Sequence, residues 1–229
     1  MFNQEKHSYL YVPCYVRDLS RIWETAIHLG ERLHYKKGQT FALGDDGNHF
    51  GYIQSGVTCH LILDDDGIKD EIRFFLGPHT LLRDIFVSAG FGAYQSTHKC
   101  LTEVTLFRFE KSLLGNKDFL AQHAPLVQNL IFSISAKSIS LQFFSNILKR
   151  NSNAQKIAIY LYGFYLLNRK RLSFTPPFSQ YYLAELLGIS KLTVNRIISA
   201  WKEAGIIGGY TKNNIRILDV ERLAALRHK

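Results

Sequence analysis

Residues 180–201 constrain the fold more tightly than any other part of the sequence. They read QYYLAELLGISKLTVNRIISAW, and apolar side chains recur at helical spacing on both sides of Gly188. Ala184 is small where two helices can cross closely, and glycine at position 188 permits a tight turn between them. The pattern predicts a helix-turn-helix, whose buried side chains are Leu183, Leu187, Ile189, Val194 and Ile197.

The outer face of the second helix carries side chains that suit the DNA major groove. Ser190 is a natural N-cap for this helix. Arginine can donate two hydrogen bonds to guanine, and asparagine can pair in a similar way with adenine. An ordinary helical hairpin with a polar face would share the apolar pattern. The predicted DNA-binding residues are Ser179, Gln180, Ser190, Lys191, Thr193, Asn195, Arg196 and Lys212.

Two apolar runs follow this segment and predict a wing hairpin. Residues 205–210 and 215–218 flank the turn Thr211-Lys212-Asn213-Asn214, whose residue types tolerate tight turns. Lys212 and Arg216 are candidates for phosphate contacts, although solvent-facing turn residues would look the same. Ser179, Gln180 and the cluster Arg169-Lys170-Arg171 are also expected near the DNA backbone.

The net charge of +9 is concentrated in the last third of the chain. Residues 1–150 carry 16 Lys and Arg against 15 Asp and Glu, whereas residues 151–229 carry 12 against 4. A surface of this kind attracts phosphates and releases their counterions, although it can also serve only solubility. Together with the helix-turn-helix pattern, the charge predicts double-stranded DNA as a partner.

The region from about Leu33 to Phe109 alternates short β-prone runs with glycine-bearing turns. This rhythm predicts a small antiparallel barrel or roll. A short amphipathic helix is expected before the roll, over Asp18–Leu33. The predicted strands are His49–Gln54, Thr58–Leu63, Asp70–Leu76 and Thr102–Phe109, with turns that include residues 45–47 and 65–67.

A glycine-free stretch from Ala124 to Arg150 predicts one long helix. One stripe at heptad spacing is apolar in six of its seven positions and is expected to pair with a twin helix. A second face, with Phe132, Ile139, Phe143 and Ile147, is expected on the roll, and a helix lying only on its own domain would show a similar stripe. The heptad stripe consists of Val127, Leu130, Ile134, Lys137, Leu141, Phe144 and Leu148.

Asn151, Ser152 and Asn153 have the cap and turn chemistry expected at a domain boundary. A further helix is expected over Ala154–Asn168, before Pro176-Pro177, which cannot continue a helix. We therefore predict an α+β fold with three parts. These are an N-terminal β-roll sensing domain (1–123), a long dimerisation helix (124–150) and a winged helix-turn-helix DNA-binding domain (151–229).

This order of elements resembles the family of the cyclic-AMP receptor protein and the fumarate and nitrate reduction regulator, the Crp/Fnr family. The more specific matches are Gly51-Tyr-Ile-Gln-Ser-Gly56 and residues 183–205. The resemblance implies a homodimer formed by the long helices, an effector bound between roll and helix, and recognition of a near-palindromic operator. We expect a transcription activator that contacts RNA polymerase, although the sequence leaves repression open. The roll has no nucleophile elbow, phosphate loop or metal motif, so an enzyme is not expected.

Departures from the family pattern alter two of these expectations. The family's DNA-reading helix often has Glu where this chain has Leu192, whereas Arg196 occupies the usual arginine position. Cyclic-AMP binders have a Gly-Glu-Leu element and a later Arg-Ser pair, where this chain has Leu81-Leu82-Arg83 and Gly90-Phe-Gly-Ala-Tyr94. We therefore expect an effector other than cyclic AMP, apolar or aromatic in character. The candidate effector-binding residues are Arg83, Phe86, Tyr94 and Ile134.

The remaining chemistry of the sequence leaves several alternatives open. Three dispersed cysteines and nine histidines without metal-site spacing predict no metal, haem or iron–sulfur cluster. Cys59 and Cys100 are expected to be buried thiols, whereas Cys14 could support a redox-responsive regulator. An effector-independent DNA-binding protein with a structural roll is a further alternative, and a small-molecule enzyme is the least favoured. Without a signal-peptide or membrane-spanning run, the chain is expected in the cytoplasm, with no membrane partner.

Overall fold

The computed structural model describes residues 8–44, 48–63, 70–85 and 96–228. The chain divides into two compact units, and the division lies inside the long helix. The first unit contains Met1–Tyr9 and Cys14–Ser140, and the second contains Leu10–Pro13 and Leu141–Lys229. The three domain boundaries expected from the sequence stay a prediction.

Two sheets form the β-roll of the first unit. One sheet has the strand order β1-β6-β5-β8-β3 and the other has the order β2-β9-β4-β7. Neighbouring strands are antiparallel, except that β1 pairs parallel with β6. The predicted α+β class with an antiparallel roll is confirmed. The strands are β1 (Tyr15–Val16), β2 (Glu31–Tyr35), β3 (Thr40–Phe41), β4 (His49–Ser55), β5 (Thr58–Leu63), β6 (Asp70–Leu76), β7 (Thr80–Leu82), β8 (Ser96–Cys100) and β9 (Val104–Glu110).

The strands predicted between residues 49 and 109 match β4, β5, β6 and β9 within two residues. The turns predicted at residues 45–47 and 65–67 lie outside the described residues. The predicted helix over Asp18–Leu33 is wrong in type and length. A 3-10 helix spans Arg21–Leu29 and ends at the extended Gly30, because the next residues pair with β9 as β2.

An aromatic cluster lies at the centre of the first unit. The ring centroid of Trp23 lies 5.3 Å from that of Phe50 and 5.5 Å from that of Phe109. Edge-to-face pairs of this kind add to the stabilisation that burial of the rings provides. Other buried members of the cluster are Ala26, Tyr52, Leu81, Phe107, Phe119, Leu126 and Leu130.

The long helix spans Ala124–Arg150, as predicted, and is preceded by short helices. Its buried residues are Leu126, Leu130, Ser133, Ala136, Lys137 and Ser140. Besides the 3-10 helix Arg21–Leu29, the described helices up to this point are α1 (Ser8–Tyr11), a 3-10 helix at Lys111–Gly115, α2 (Lys117–Gln122) and α3 (Ala124–Arg150).

The predicted roles of the two apolar faces of α3 are wrong. Leu130 and Lys137 were expected to face a twin helix, but both are buried within the first unit. Phe132, Ile139 and Phe143 were expected on the roll, but their exposed fractions are 39%, 40% and 47%. The reason is that Lys137 pairs with the buried Asp84 of the roll. The face of α3 that carries this lysine is therefore the one that packs on the roll.

The second unit begins with the end of α3 and contains the predicted helix-turn-helix and wing. Ser152 forms a capping box with Gln155 at the start of α4. A three-stranded sheet has the order β10-β12-β11. The elements are α4 (Asn153–Leu167), β10 (Ser173–Phe174), α5 (Gln180–Leu187), α6 (Lys191–Glu203), β11 (Ile207–Tyr210), β12 (Ile215–Ile217) and α7 (Val220–Ala225).

Residues 10–13 pack on α4 within the second unit. The hydroxyl of Tyr160 donates a hydrogen bond of 2.7 Å to the carbonyl oxygen of Pro13. At Gly163, a Cβ atom would lie 2.2 Å from the carbonyl oxygen of Tyr11, so only glycine fits there without movement. This close approach makes the N-terminal segment part of the core of the second unit.

Candidate nucleic-acid interface

The turn between α5 and α6 is set by backbone conformation and by a helix cap. Gly188 has φ 62° and ψ 34°, the left-handed conformation that glycine adopts without steric cost. Two residues later, Ser190 Oγ accepts a hydrogen bond of 3.1 Å from the backbone N–H of Thr193. This cap satisfies a free N–H at the start of α6 and fixes the direction in which the helix leaves the turn.

The inner face of α6 consists of Val194, Ile198 and Trp201, which are 0%, 6% and 7% exposed. The sequence prediction assigned Ile197 to this face, and that assignment is wrong because Ile197 is only half-buried. Steps of four and three residues from Val194 keep side chains on one side of a helix, and they lead to Ile198 and Trp201. The other predicted core residues, Leu183, Leu187 and Ile189, are buried.

The opposite face of α6 presents Lys191, Leu192, Asn195 and Arg196 to solvent. Leu192 is 78% exposed, the highest value among the large exposed hydrophobic side chains of the described residues. Thr193 is half-buried, and its Oγ1 lies 2.9 Å from Ser190 Oγ. The hydroxyl groups of Ser190 and Thr193 therefore belong to the cap, whereas Lys191, Asn195 and Arg196 point outward together.

Ser179 and Gln180 lie at the start of α5. Ser179 occupies the N-cap position but makes no side-chain cap hydrogen bond. The amide of Gln180 donates a hydrogen bond to the carbonyl oxygen of Tyr210 in β11. The Tyr210 hydroxyl in turn donates a 2.8 Å bond to the Phe178 carbonyl, and burial raises the pKa of this phenol. Gln180 thus joins α5 to the wing, a role that the sequence did not predict.

The wing is a hairpin of β11 and β12 closed by residues 211–214. Thr211 N donates a 2.8 Å hydrogen bond to the Asn214 carbonyl, and Asn214 N donates a 3.0 Å bond to Thr211 Oγ1. Lys212 lies exposed in this turn, and Arg216 lies exposed on β12. Arg169, Lys170 and Arg171 are exposed after α4. The second unit therefore has several exposed cationic side chains besides those of α6.

A buried charged network lies in the first unit. Lys137 Nζ donates hydrogen bonds to Asp84 Oδ1 (2.5 Å) and to the carbonyl oxygen of Leu81 (2.8 Å). Ser133 Oγ donates a 2.7 Å bond to Asp84 Oδ2. Burial lowers the pKa of Lys137, and the Asp84 carboxylate partly opposes this shift. The network joins α3 to the residues that follow β7, and the sequence prediction missed it.

Four rings stack in the roll beside this network. The ring centroids of Tyr35 and Phe41 lie 4.3 Å apart, those of Phe41 and His98 5.2 Å, and those of His98 and His60 4.7 Å. Burial lowers the pKa of His60 to about 3 and that of His98 well below its usual value, and Lys137 contributes to both shifts. Both imidazoles are therefore neutral at physiological pH.

His98 is a buried polar side chain of the roll that lacks hydrogen-bond partners among the described residues. It is 1% exposed, and neither of its ring nitrogens has a hydrogen-bond partner in the described part of the chain. Buried polar groups are nearly always paired, so an orphan imidazole indicates a place where a ligand or water can bind. His60 lies between Cys59 and Leu61 in β5, and this apolar setting was the signal that the sequence prediction overlooked. His98 lies between Thr97 and Lys99 in β8, so its own neighbours gave no such signal.

The candidate effector-binding residues do not all fall within the described structure. Arg83 is buried, has φ 59°, and donates a 2.7 Å hydrogen bond to the Gly44 carbonyl. Ile134 is half-buried against the aromatic cluster. Phe86 and Tyr94 lie outside the described residues.

The thiols of Cys14, Cys59 and Cys100 are buried, and none of the three forms a disulfide bond. Burial raises the pKa of the Cys14 thiol, and it raises that of Cys100 to about 11. Because the thiolate is the reactive form, these shifts disfavour redox chemistry at either position. Within residues 8–44, 48–63, 70–85 and 96–228, no three His, Cys, Asp or Glu side chains are grouped to hold a metal ion. None of the described helices is long and apolar enough to cross a membrane.

Comparison with known proteins identifies the DNA-binding domain of the second unit. Residues 155–226 match the model of the Crp-like helix-turn-helix domain. No curated protein sequence matches the chain.

Solved structures resemble the chain over most of its length. CprK in complex with OCPA aligns with a TM-score of 0.74 and 15% identity, over 94% of this chain and 97% of CprK. The c-di-GMP-responsive global regulator CLP of Xanthomonas campestris aligns with a TM-score of 0.67 and 16% identity, over 85% and 97%. TTHA1359, a CRP/FNR-family transcriptional regulator of Thermus thermophilus, aligns with a TM-score of 0.63 and 17% identity, over 87% and 99%. The predicted resemblance is confirmed for the domain and the fold: the chain carries a Crp-like helix-turn-helix domain and has the fold of the Crp/Fnr transcription regulators.

Proposed function

We propose that this protein is a sequence-specific DNA-binding transcription regulator that acts in the cytoplasm. The observation that carries the proposal is the outer face of α6, where Lys191, Asn195 and Arg196 are exposed side by side in a Crp-like domain. Arg196 can read guanine and Asn195 can read adenine through paired hydrogen bonds. Lys212 in the wing and Arg169–Arg171 supply charges for the phosphate backbone, where contacts orient the protein without reading sequence.

The regulator is a homodimer formed through the exposed face of α3. Phe132, Ile139 and Phe143 follow one another at steps of seven and four residues, the spacing of a two-helix coiled coil. A second copy presents the same stripe, so a two-fold axis pairs each side chain with its symmetry mate or a neighbour. Such a dimer has two recognition helices, which suit the two half-sites of a near-palindromic operator.

The roll binds a small-molecule effector other than cyclic AMP, beside His98. Two observations support this proposal: the orphan ring nitrogens of His98, and the charged network of Lys137 and Asp84 that joins the roll to α3. An effector that pairs with His98 and shifts this network would bias the position of α3. CLP responds to c-di-GMP and CprK was solved with OCPA, so similar folds serve small-molecule sensing.

Selection from a random DNA pool by the purified full-length protein tests the proposed function. We expect a two-fold symmetric motif with half-sites about one helical turn apart. Enrichment only in the presence of a metabolite extract would support an effector requirement, and enrichment regardless of any extract would favour an effector-independent regulator. If neither a motif nor salt-sensitive non-specific binding is found, the DNA-binding function is wrong.

A further inference from the structure

Leu192 is an unusual residue to find at the centre of a surface that reads polar base edges. It lies in the first turn of α6, two residues after the Ser190 cap, and 78% of it is exposed. The first turns of a recognition helix are the part that contacts base edges in the major groove. Exposed leucine leaves apolar surface in water, and burying that surface against a partner is favourable.

The position of Leu192 relative to Arg196 defines where its contact must fall. Residues four apart lie on the same helix face with Cβ atoms about 5 to 6 Å apart. Base pairs stack about 3.4 Å apart. The group that Leu192 contacts is therefore expected within about one or two base pairs of the base that Arg196 reads.

The major groove offers one apolar group to a side chain, the 5-methyl group of thymine. The other base-edge groups there are hydrogen-bond donors and acceptors, which leucine cannot satisfy. Leu192 would desolvate such groups without replacing their hydrogen bonds, and this disfavours sites that lack the methyl group. The side chain thus has the chemistry to select for thymine and to reject the alternatives.

We propose that Leu192 is a specificity-determining residue that packs on a thymine 5-methyl group next to the base pair read by Arg196. This inference rests on the proposed DNA-binding function and deepens it. It predicts that each half-site contains an obligatory thymine whose recognition depends on the methyl group, not on O4.

Replacement of single thymines by deoxyuridine tests this inference directly, because deoxyuridine keeps O4 and removes only the methyl group. The full-length protein is titrated against the selected operator with each thymine replaced in turn. At one position we expect Kd to rise roughly fourfold per half-site, the effect of losing one buried methyl group. In Leu192→Ala the same replacement is expected to have no effect, whereas Leu192→Met retains the sensitivity.

Leu218→Ala is the matched control, because Leu218 is 47% exposed in the same unit but follows β12 and is not part of α6. It is expected to keep the deoxyuridine sensitivity of the unmodified protein. Equal deoxyuridine sensitivity in the unmodified protein and Leu192→Ala overturns the inference while leaving DNA recognition intact. No sensitive thymine near the Arg196 base pair also overturns it. If no operator is enriched with or without a metabolite extract, and salt-sensitive non-specific binding is also missing, the proposed function itself is contradicted, so the two failures are distinguishable.

Discussion

Lys137 Nζ lies 2.5 Å from Asp84 Oδ1, and the two side chains are only 3% and 2% exposed. Ser133 and the Leu81 carbonyl satisfy further hydrogen-bonding capacity of the pair. A buried pair of this kind contributes little net stability compared with apolar residues, but removing one partner leaves an uncompensated buried charge. The pair therefore favours the one packing of α3 on the roll in which the two charges remain in contact.

Lys137→Met is expected to lower the free energy of unfolding of the protein by about 3 to 5 kcal/mol, because Asp84 keeps a buried charge without its cation. Asp84→Leu is expected to cost a similar amount for the converse reason. The double variant Lys137→Met/Asp84→Leu should be more stable than either single variant. Urea denaturation followed by circular dichroism measures the three values, and strictly additive losses would contradict coupling between the two residues.

Stability is expected to fall as the pH drops below about 6.5, the ordinary pKa of histidine. His60 has a pKa of about 3 in the folded protein, and burial keeps His98 neutral as well. In this window the unfolded chain binds protons that the folded chain does not, so stability decreases with falling pH. The two residues together contribute a slope of roughly 2 to 3 kcal/mol per pH unit between about pH 5.5 and 4.5.

The pH effect is measured by urea denaturation between pH 7.5 and 4.5. His60→Phe/His98→Phe keeps the stacked rings and removes the two titrations, so its slope should be smaller by about that amount. His28→Gln changes an exposed histidine and serves as the control. An unchanged slope in the double variant would rule out the two buried imidazoles as the cause.

Ile139→Glu is expected to weaken the dimer at least about a hundredfold, since each subunit loses a buried apolar side chain and gains a charge at the interface. Phe132→Glu should act in the same way. Sedimentation equilibrium measures the dimer Kd, and Leu172→Glu is the control because Leu172 is 51% exposed and lies outside α3. A dimer that survives both α3 substitutions would show that another surface forms the contact.

Arg196→Ala and Lys212→Ala are expected to weaken DNA binding in different ways. Loss of Arg196 should cost about 1 to 3 kcal/mol on the selected operator and relax discrimination at one base pair. Loss of Lys212 should weaken binding to all DNA sequences alike. It should also reduce the magnitude of the slope of log K against log salt concentration by about 1. Fluorescence anisotropy at several salt concentrations distinguishes them. If Arg196→Ala discriminates between base pairs as well as the unmodified protein does, Arg196 does not read a base.

Local chemistry made much of the second unit predictable. The Ser190 cap, the left-handed Gly188 and the wing turn each depend on a few consecutive residues. The same is true of α3, whose observed ends match the glycine-free stretch from Ala124 to Arg150. The sequence prediction placed Ile197 instead of Ile198 on the buried face of α6. Two adjacent isoleucines suit the apolar pattern equally well, and only packing against the neighbouring helix decides between them.

The packing of α3 was decided by tertiary structure. Its sequence contains two apolar faces, and both have spacings that suit either a coiled coil or a packed surface helix. From the sequence alone, a lysine at position 137 argues against burial of that face, because its acidic partner cannot be identified locally. Asp84 lies 53 residues away in the sequence and supplies the opposite charge at the roll. Local sequence therefore determined which segments are helices, strands and turns, whereas long-range contacts decided which face of α3 is buried and which is exposed to solvent.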